Sequence, residues 1–291
     1  MSAYLGIILA IVAMLFWGIG DFLIQRSTRS IGNWETLFII TAFGSIVLLP
    51  FVWNDLPTLF QNSSSILFAL TFSGVIILIA AIIEFESLRI GKLAVVEPIM
   101  SLEIPTAAIL AFAIIDEHLT VAQIILIGLL IFGLICVSFK GGRVTIKHFL
   151  EKGALVAAGG AISMGLANFF MGFSGRISNS LLTNFISCVV MAVASYIYLA
   201  SQGKVKHMVA DIKKYPRMLF TMSLFDNIAW VAFVAAMTMA PIGVVVALTE
   251  SYIIIVVLLG LLVNKEKLIY RQKVGLVIAL VAAIVLAVVT G

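Results

Sequence analysis

The stretch TVAQIILIGLLIFGLICVSF, residues 120–139, contains twenty residues and no charged side chain. A helix of about 20 residues spans about 30 Å, the thickness of the hydrocarbon core of a bilayer. Inside that core only a structure that satisfies its own backbone hydrogen bonds is stable, and a helix does so. The stretch therefore predicts a membrane-spanning helix.

The remainder of the chain has the same character. Of its 291 residues 63% are hydrophobic and 11% are charged, and the mean hydropathy is +1.21. An average soluble domain has about 25% charged residues, which cover its surface. A soluble fold is therefore excluded. The formal charge of +4 does not indicate nucleic-acid binding, because the basic residues lie between apolar segments, where membrane topology explains them.

Ten apolar segments are long enough to span a bilayer, and short polar connections separate them. They are residues 3–24, 34–53, 66–88, 93–115, 120–139, 151–172, 179–200, 217–239, 242–263 and 271–290. The sequence thus predicts an all-α integral membrane protein with ten transmembrane helices.

The basic residues predict the orientation of these helices. Of the 18 Lys and Arg residues, all except Arg176 follow odd-numbered segments. Connections rich in Lys and Arg stay on the cytoplasmic side. We therefore expect an even number of helices with both termini outside the cytoplasm, in a multi-pass protein of the cell (plasma) membrane.

Two similar halves are visible in the sequence. A shift of 147 residues aligns Gly6 with Gly153, Gly18 with Gly165, Asp21 with Asn168 and Phe22 with Phe169. A shift of 149 residues aligns Glu117 with Glu266, Leu119 with Leu268 and Gln123 with Gln272. The predicted units are a first five-helix repeat (1–140), a basic connecting loop (141–150) and a second five-helix repeat (151–291). Because five is odd, the repeats enter the membrane in opposite senses, which is an inverted-repeat architecture typical of alternating access.

Three carboxylates lie near the middle of predicted spans: Glu103, Asp226 and Glu250. An ionised carboxylate at the bilayer centre costs about 3 kcal/mol, and no Lys or Arg lies at the same depth. A proton, a substrate ammonium, a water-filled cavity or hydrogen bonds from residues such as Asn168 and Asn227 could offset that cost. We expect these carboxylates to line a functional cavity, and the alternative is a structural hydrogen bond between helices.

Aromatic residues accompany the acidic ones. Trp17 and Asp21 are four residues apart and share a helix face, and Asp226 and Trp230 repeat that spacing. An aromatic wall beside a carboxylate suits a ligand with an apolar body and an ammonium group. Anchoring at the membrane interface is the alternative role for Trp17, and pairing with a nearby base is the alternative for Asp21.

The fourth and ninth segments place polar groups at matching depths, because the shift of 149 aligns Ser101 with Glu250 and Glu103 with Tyr252. Glu97 lies one turn inside the cytoplasmic end of the fourth segment. The predicted substrate-binding residues are Trp17, Glu103, Asp226, Trp230, Glu250 and Tyr252. The predicted coupling or supporting residues are Asp21, Glu97, Asn168 and Asn227.

Two further patterns concern helix geometry. Pro98 and Pro105 each remove a backbone donor from the fourth segment, which predicts a kink or an exposed carbonyl. Ala161 and Gly165 in the sixth segment have a small-xxx-small spacing, which is typical of close helix packing. A glycine face that admits substrate is the alternative for the sixth segment.

Motifs of soluble enzymes are absent from the sequence. It contains no GxxxxGK[ST], HExxH or GxSxG pattern, and its three histidines are scattered over connections. We therefore expect no enzyme activity, no cofactor and no metal site. An intramembrane enzyme is disfavoured because no spacing of a nucleophile and a base is present.

The tract from Pro105 through TAAILAFAIIDEHLTVAQIILIGLLIFG resembles the repeat signature of the drug/metabolite transporter superfamily, in its ten-helix EamA-type branch. The second half repeats this tract as ESYIIIVVLLGLLVNKEKLIYRQKVGLVIAL, with Ile254 in place of the proline. The resemblance covers both halves and implies a secondary transporter with a central cavity between them. Glu97 and Glu103 are more acidic than this part of the pattern, which speaks against a simple neutral metabolite.

The expected function is secondary active transport of a small amphiphilic metabolite, such as an amino acid or an amine, by alternating access. We expect export, with protons as a coupling ion, and the substrate and the lipid bilayer as partners. A transporter of nucleotide-sugars or drugs is one alternative. A non-transporting membrane scaffold or receptor-like subunit is another. The sequence leaves the oligomeric state open.

Overall fold

The structure, a computed structural model, describes residues 2–57, 59, 64–90, 99–138, 152–255 and 269–291. The side chains of residues 2, 21, 88–90, 138 and 152–154 lie outside this description. The described residues form α-helices without β-strands. These helices are α1 (Ser2–Ile31), α2 (Asn33–Val52), α3 (Ser64–Ile90), α4 (Glu103–Ile115), α5 (Val121–Ser138), α6 (Lys152–Ile177), α7 (Ser180–Ser201), α8 (Val205–Lys214), α9 (Pro216–Met239), α10 (Ile242–Thr249) and α11 (Tyr270–Thr290).

Each of the ten apolar segments contains one of these helices. Over the described residues, seven helices are long and apolar enough to cross a membrane, namely α1, α2, α3, α6, α7, α9 and α11. The other three, in the fourth, fifth and ninth segments, are shorter apolar helices. The predicted all-helical, multi-pass membrane architecture is confirmed, whereas the count of ten spans and the inversion of the repeats stay predictions.

Helix α8 was not predicted from the sequence. It lies in the connection between the seventh and eighth segments, within a run of basic residues. Val205, Met208, Val209 and Ile212 recur at the spacing of one helix face, and Met208 is buried. This connection is therefore a short amphipathic helix.

Apolar side chains cover the outside of the bundle as well as its core. Ile46 and Val121 are each 73% exposed and Val288 is 70% exposed, whereas Phe169 and Phe233 are fully buried. A water-soluble protein rarely exposes apolar side chains over so much of its surface. This distribution matches a bundle that is surrounded by hydrocarbon.

The two halves of the chain pack against each other through antiparallel pairs of helices. Helix α2 pairs with α7: the rings of Trp34 and Tyr198 stack at 4.2 Å at one end. At the other end Asn179 donates a hydrogen bond of 3.1 Å to Asp55. Helices α1 and α9, α3 and α6, and α5 and α11 form the other large contacts between the halves. These four pairs follow the repeat: if each helix is replaced by the equivalent helix of the other half, the same four pairs are obtained.

Helices α5 and α11 are joined by two glutamines that the repeat alignment relates. Gln123 accepts the backbone N–H of Thr120 at 2.9 Å and donates to Thr290 at 3.1 Å. Gln272 likewise accepts the N–H of the residue before α11, and it donates to the carbonyl of Val137 at 2.9 Å. Each glutamine thus accepts a backbone N–H at the start of its own helix and donates a hydrogen bond to the end of the partner helix in the other half.

The middle of the α5–α11 pair has no room for a side chain. A methyl group added at Gly133 would lie 2.6 Å from the backbone N of Ala279 and 2.8 Å from the carbonyl O of Gly275. Small residues let helix backbones approach this closely, and close packing is what holds helices together in lipid. The two glycines therefore set the distance between the last helices of the two halves.

Replacing Gly133 by alanine tests this contact. We expect Gly133→Ala to lower the free energy of unfolding by about 1–3 kcal/mol, because backbone atoms cannot move aside for the methyl group. Gly128→Ala is the matched control on the same helix, since nothing lies within 4 Å of its added methyl. The measurement is thermal unfolding of both purified variants in detergent. Equal stability of the two variants would contradict the close contact.

Candidate functional site

A cavity lies between the two halves, lined by residues from α1, α2, α3, α4, α6, α7 and α9, by Met100 before α4, and by Glu250 and Tyr252 after α10. It encloses about 1090 Å³, the open space at its mouth included. The structure places all six predicted substrate-binding residues in its lining, together with two of the predicted supporting residues. They are Trp17, Glu103, Asp226, Trp230, Glu250 and Tyr252, with Asn168 and Asn227. Their role in binding stays a prediction.

The other two predicted supporting residues cannot be placed. Glu97 lies outside the described residues, and so does the side chain of Asp21. Pro98 is likewise outside them.

The helices of the fourth and ninth segments are both interrupted beside the cavity, one just before α4 and the other just after α10. The shift of 149 residues relates the two positions. Leu102 N–H donates to the carbonyl of Ile99 at 3.0 Å, and Ser251 N–H donates to that of Leu248 at 3.2 Å. Each is an i→i−3 bond of a tight 3₁₀-like turn. Pro105 accounts for the first interruption, because it has no N–H to donate four residues back. The sequence did not predict the second.

Glu103 occupies the first turn of α4, directly after the interruption. Its side chain is 4% exposed, and one carboxylate oxygen accepts a hydrogen bond of 3.0 Å from Asn168 on α6. The amino-terminal end of a helix carries partial positive charge and favours a carboxylate. These two groups offset part of the cost of burying Glu103.

Glycines position the interrupted helices against their neighbours. A methyl at Gly165 on α6 would lie 2.8 Å from the carbonyl O of Glu103, and one at Gly18 on α1 would lie 3.6 Å from that of Tyr252. The two glycines correspond in the repeat alignment, and so do Glu103 and Tyr252. Gly165 thus has the packing role that its spacing predicts.

Asp226 lies on α9 and is 8% exposed. The indole of Trp17 lies beside its carboxylate. The ring of Trp17 also meets that of Trp230 edge-on at a centroid distance of 5.1 Å, and that of Phe233 at 5.0 Å. The predicted aromatic wall beside a carboxylate is therefore assembled from α1 and α9, in opposite halves of the chain.

Asn227 has a structural role at the edge of the cavity. Its amide nitrogen donates to the carbonyls of Ile40 at 3.1 Å and Ser223 at 2.8 Å. Its oxygen accepts a weak hydrogen bond from the thiol of Cys188 at 3.7 Å. This asparagine joins α9 to α2 and α7.

The structure adds lining residues that the sequence analysis had not assigned to the site. Glu84, near the end of α3, lines the cavity. Asn184 does so as well, and methionines supply much of the apolar wall. Those methionines are Met100, Met164, Met171 and Met191. Their long apolar side chains carried no signal that separates a cavity wall from ordinary core.

The cavity includes the middle of the bundle's thickness and extends toward the face that carries the basic residues. We call this the basic face; Arg26, Arg29, Lys204 and Arg217 lie there, at the ends of α1 and α7 and the start of α9. On α2 and α3 the cavity residues come from the part of the helix nearest this face, 37–41 and 77–85, whereas Met171 of α6 and Asn184 of α7 lie nearer the opposite face. Toward the opposite face the bundle is filled by buried apolar side chains such as those of Leu70, Met237, Val244 and Val246.

An ion pair closes the opposite face. Arg176, at the end of α6, contacts Glu117 at 2.7 Å and donates to the carbonyls of Met237 at 2.8 Å and Ala240 at 3.0 Å. Glu117 also accepts the backbone N–H of Ile242 at 2.6 Å, at the start of α10. The two side chains thus satisfy the end of one helix and the start of the next, and they join the two halves.

Comparison with known proteins identifies a family over both halves. The family model of the EamA-like transporters matches residues 4–139 and, a second time, residues 151–288. No curated protein sequence matches the chain. One crystal structure of a protein aligns with a TM-score of 0.73 at 13% identity, covering 98% of this chain and 97% of that chain. At that identity the likeness concerns the fold alone.

The location of the cavity can be tested with introduced cysteines. Ala81 lines the cavity on α3, whereas Ser73 on the same helix is buried in the packed half. In a background of Cys136→Ser and Cys188→Ser, we expect Ala81→Cys to react with a membrane-impermeant methanethiosulfonate at least tenfold faster than Ser73→Cys. Reagent reaches Ala81→Cys from the basic face, because the opposite face is closed. Equal rates, or labelling of Ala81→Cys from the opposite face alone, would contradict this location.

Proposed function

Because the chain belongs to the EamA-like transporter family, we propose that it is a secondary active transporter of a small amphiphilic metabolite, an amino acid or an amine. The observation that supports this proposal is the cavity between the halves, where acidic and aromatic side chains meet. Such a cavity is a site for a solute with a charged group and an apolar body. We propose export by alternating access across the plasma membrane, with protons as the coupling ion.

Alternating access requires the cavity to open to each face in turn. In the structure the cavity extends toward the basic face, and the Arg176–Glu117 pair and a packed core lie on the opposite side. A rearrangement between the halves would break that pair and open the opposite face. If the basic face is cytoplasmic, the conformation in this structure is the one in which an exporter would bind its substrate.

The proposed architecture is ten spans in two inverted repeats. Antiparallel packing of α2 on α7 supports the inversion, because these are the second helices of the two halves. Antiparallel packing of α5 on α11 supports it in the same way. A scaffold or receptor-like subunit is the alternative function, and it would not need a polar cavity between the halves.

The orientation can be tested by reporter fusions along the connections. We expect fusions after α1, α3 and α7 to report the cytoplasm and fusions after α2, α6 and the C-terminus to report the opposite side. The reverse orientation would place Arg176 on the cytoplasmic side and the seventeen other Lys and Arg residues on the outside. A cytoplasmic C-terminus would contradict the orientation, and an odd number of spans would contradict the inverted repeats.

Transport itself is tested by uptake of a panel of labelled amino acids, amines and nucleotide-sugars into proteoliposomes, with and without a proton gradient. We expect one class to be taken up, and Glu103→Gln, Asp226→Asn or Glu250→Gln to lower the rate at least tenfold or to remove its pH dependence. These changes keep shape and remove charge, so the proteins should insert and fold.

Asp116→Asn is the matched control for these variants. Asp116 is exposed on a connection with φ of 54°, a conformation that asparagine also tolerates. We expect its transport to equal that of the unmodified protein. Absence of uptake for every compound under every gradient would favour the scaffold. Normal rates and pH profiles in all three cavity variants would show that the carboxylates are structural.

A further inference from the structure

We propose that helix α8 lies among the lipid headgroups at the basic face and binds anionic phospholipids there. This site is at the membrane surface, apart from the cavity, and it is independent of transport. Three properties of the molecule support it: the exposed apolar face of α8, the level of α8 relative to the hydrocarbon, and the basic residues beside that face.

The protein covers the apolar face of α8 only in part. Met208 is 4% exposed, whereas Val209 is 44% exposed and Ile212 is 38% exposed. Ile212 follows these two residues by four and three positions, so the three side chains share one side of the helix. Met208 packs against the bundle, and the side chains next to it project beyond the bundle. Amphipathic helices at a membrane surface insert such side chains between the acyl chains of the lipids.

The neighbouring helices place α8 at the edge of the hydrocarbon. Helix α7 ends at Ser201 and α9 begins at Pro216, and α8 occupies most of the connection between them. Ile197 on α7 is 62% exposed and Phe220 on α9 is 58% exposed. Each lies four residues from the end of its helix, which corresponds to about 6 Å along the helix axis. Because hydrocarbon surrounds such side chains, α8 lies at the level where the headgroups begin.

Aromatic residues mark the same level. The stacked pair of Trp34 and Tyr198 lies there, and Tyr196 is 48% exposed on the same turn of α7. Tyr and Trp are typical of the boundary between hydrocarbon and headgroups. The ammonium group of Lys204, just before α8, lies 3.6 Å from the carboxylate of Glu35 at the start of α2. This contact holds the beginning of α8 against the bundle.

The apolar face of α8 is bordered by basic residues. Lys206 and Lys213 are exposed, and they lie three residues before and four residues after Val209, on the same side of the helix. Lys214 and Arg217 are exposed as well, and the only acidic residue in the α8 sequence is Asp211. Clusters of Lys and Arg at a membrane surface attract anionic lipids.

Helix α1 adds positive charge at the same level. A methyl group at Gly20 would lie 3.7 Å from the side chain of Phe225, which sets the register of α1 against the antiparallel α9. Six and nine residues farther along α1, Arg26 and Arg29 therefore lie level with the start of α9, and both are exposed. The basic surface thus extends from α8 across the ends of two membrane-spanning helices.

An anionic phospholipid matches both features of this surface. Its acyl chains contact Val209 and Ile212, and its phosphate lies at the height that long lysine side chains reach from the edge of the apolar face. A soluble acidic partner would meet the positive charge but would leave the apolar side chains uncovered. A zwitterionic lipid would cover them without a net negative charge for the lysines.

Lipid contact is measured with the full-length protein in lipid nanodiscs. Val209→Cys, in a background of Cys136→Ser and Cys188→Ser, is labelled with the fluorophore NBD. Its quenching is recorded with phosphatidylglycerol and with phosphatidylcholine that carry the same 5-doxyl acyl chain at the same mole fraction. We expect both lipids to quench, and phosphatidylglycerol to quench at least twofold more strongly. Ala210→Cys, on the polar side of α8, is the matched position, and we expect less than half the quenching there.

The role of charge is tested in the labelled Val209→Cys protein. We expect Lys206→Gln combined with Lys213→Gln to bring the quenching by the two lipids to within about 1.2-fold of each other. Lys206→Arg combined with Lys213→Arg keeps the charge, and we expect the twofold difference to remain. Since these side chains are exposed, both double variants should fold. Raising the salt concentration to 1 M should reduce the difference in the unsubstituted helix, because salt screens exposed charges.

Two results would overturn the inference. If neither lipid quenches NBD at position 209 more than at position 210, another part of a protein, and not lipid, covers the apolar face. If the two lipids quench equally, or if the double glutamine variant keeps the full preference, the lysines of α8 do not select anionic lipid. Neither result bears on transport, so the proposed function is tested separately by the uptake assay.

Discussion

Every backbone polar group of a chain in lipid must find its partner within the protein, and the whole structure depends on this constraint. It makes the described part of the chain helical and leaves few places where a helix can be interrupted. Both observed interruptions, at 101–102 and 250–251, lie beside the cavity, and each keeps its backbone bonded through a tight i→i−3 turn. An irregular backbone at this depth is stable only where protein or a cavity surrounds it.

The second requirement is that the two halves approach each other closely, because lipid gives apolar helices no hydrophobic reason to associate. Gly133 and Gly275 bring the last helices of the halves into backbone contact, and Gly18 and Gly165 bring the first helix of each half against the interrupted helix of the other. Gln123 and Gln272 add paired hydrogen bonds across the α5–α11 contact. The contacts occur in related pairs, so that one set of sequence features, used twice, builds both sides of the cavity.

The charged side chains have different surroundings at the closed face and in the cavity. At the face away from the basic residues, Arg176 and Glu117 neutralise each other and satisfy helix ends. In the cavity, Glu103 accepts a hydrogen bond from Asn168 and lies at the start of α4, and Asp226 lies beside Trp17.

The sequence alone determined the membrane environment, the positions of the ten apolar segments and the division into two related halves. Those properties depend on composition, segment length and repetition, which are local or linear. It also pointed to Glu103, Asp226 and Glu250 in the cavity lining, because an acidic residue in an apolar segment raises the free energy of insertion wherever its helix lies. Only the tertiary structure decided three other features. They are the interruption of the ninth segment after α10, the amphipathic helix α8, and the roles of Glu84, Asn184 and the methionines in the cavity lining. Ile254 stands where the first half has a proline, Glu84 lies near a helix end, and methionine is equally at home in core or cavity. Which face of each helix meets the cavity, and which meets lipid, follows only from the packing of the two halves, since these helices are apolar on all sides and carry no periodic signal of their own.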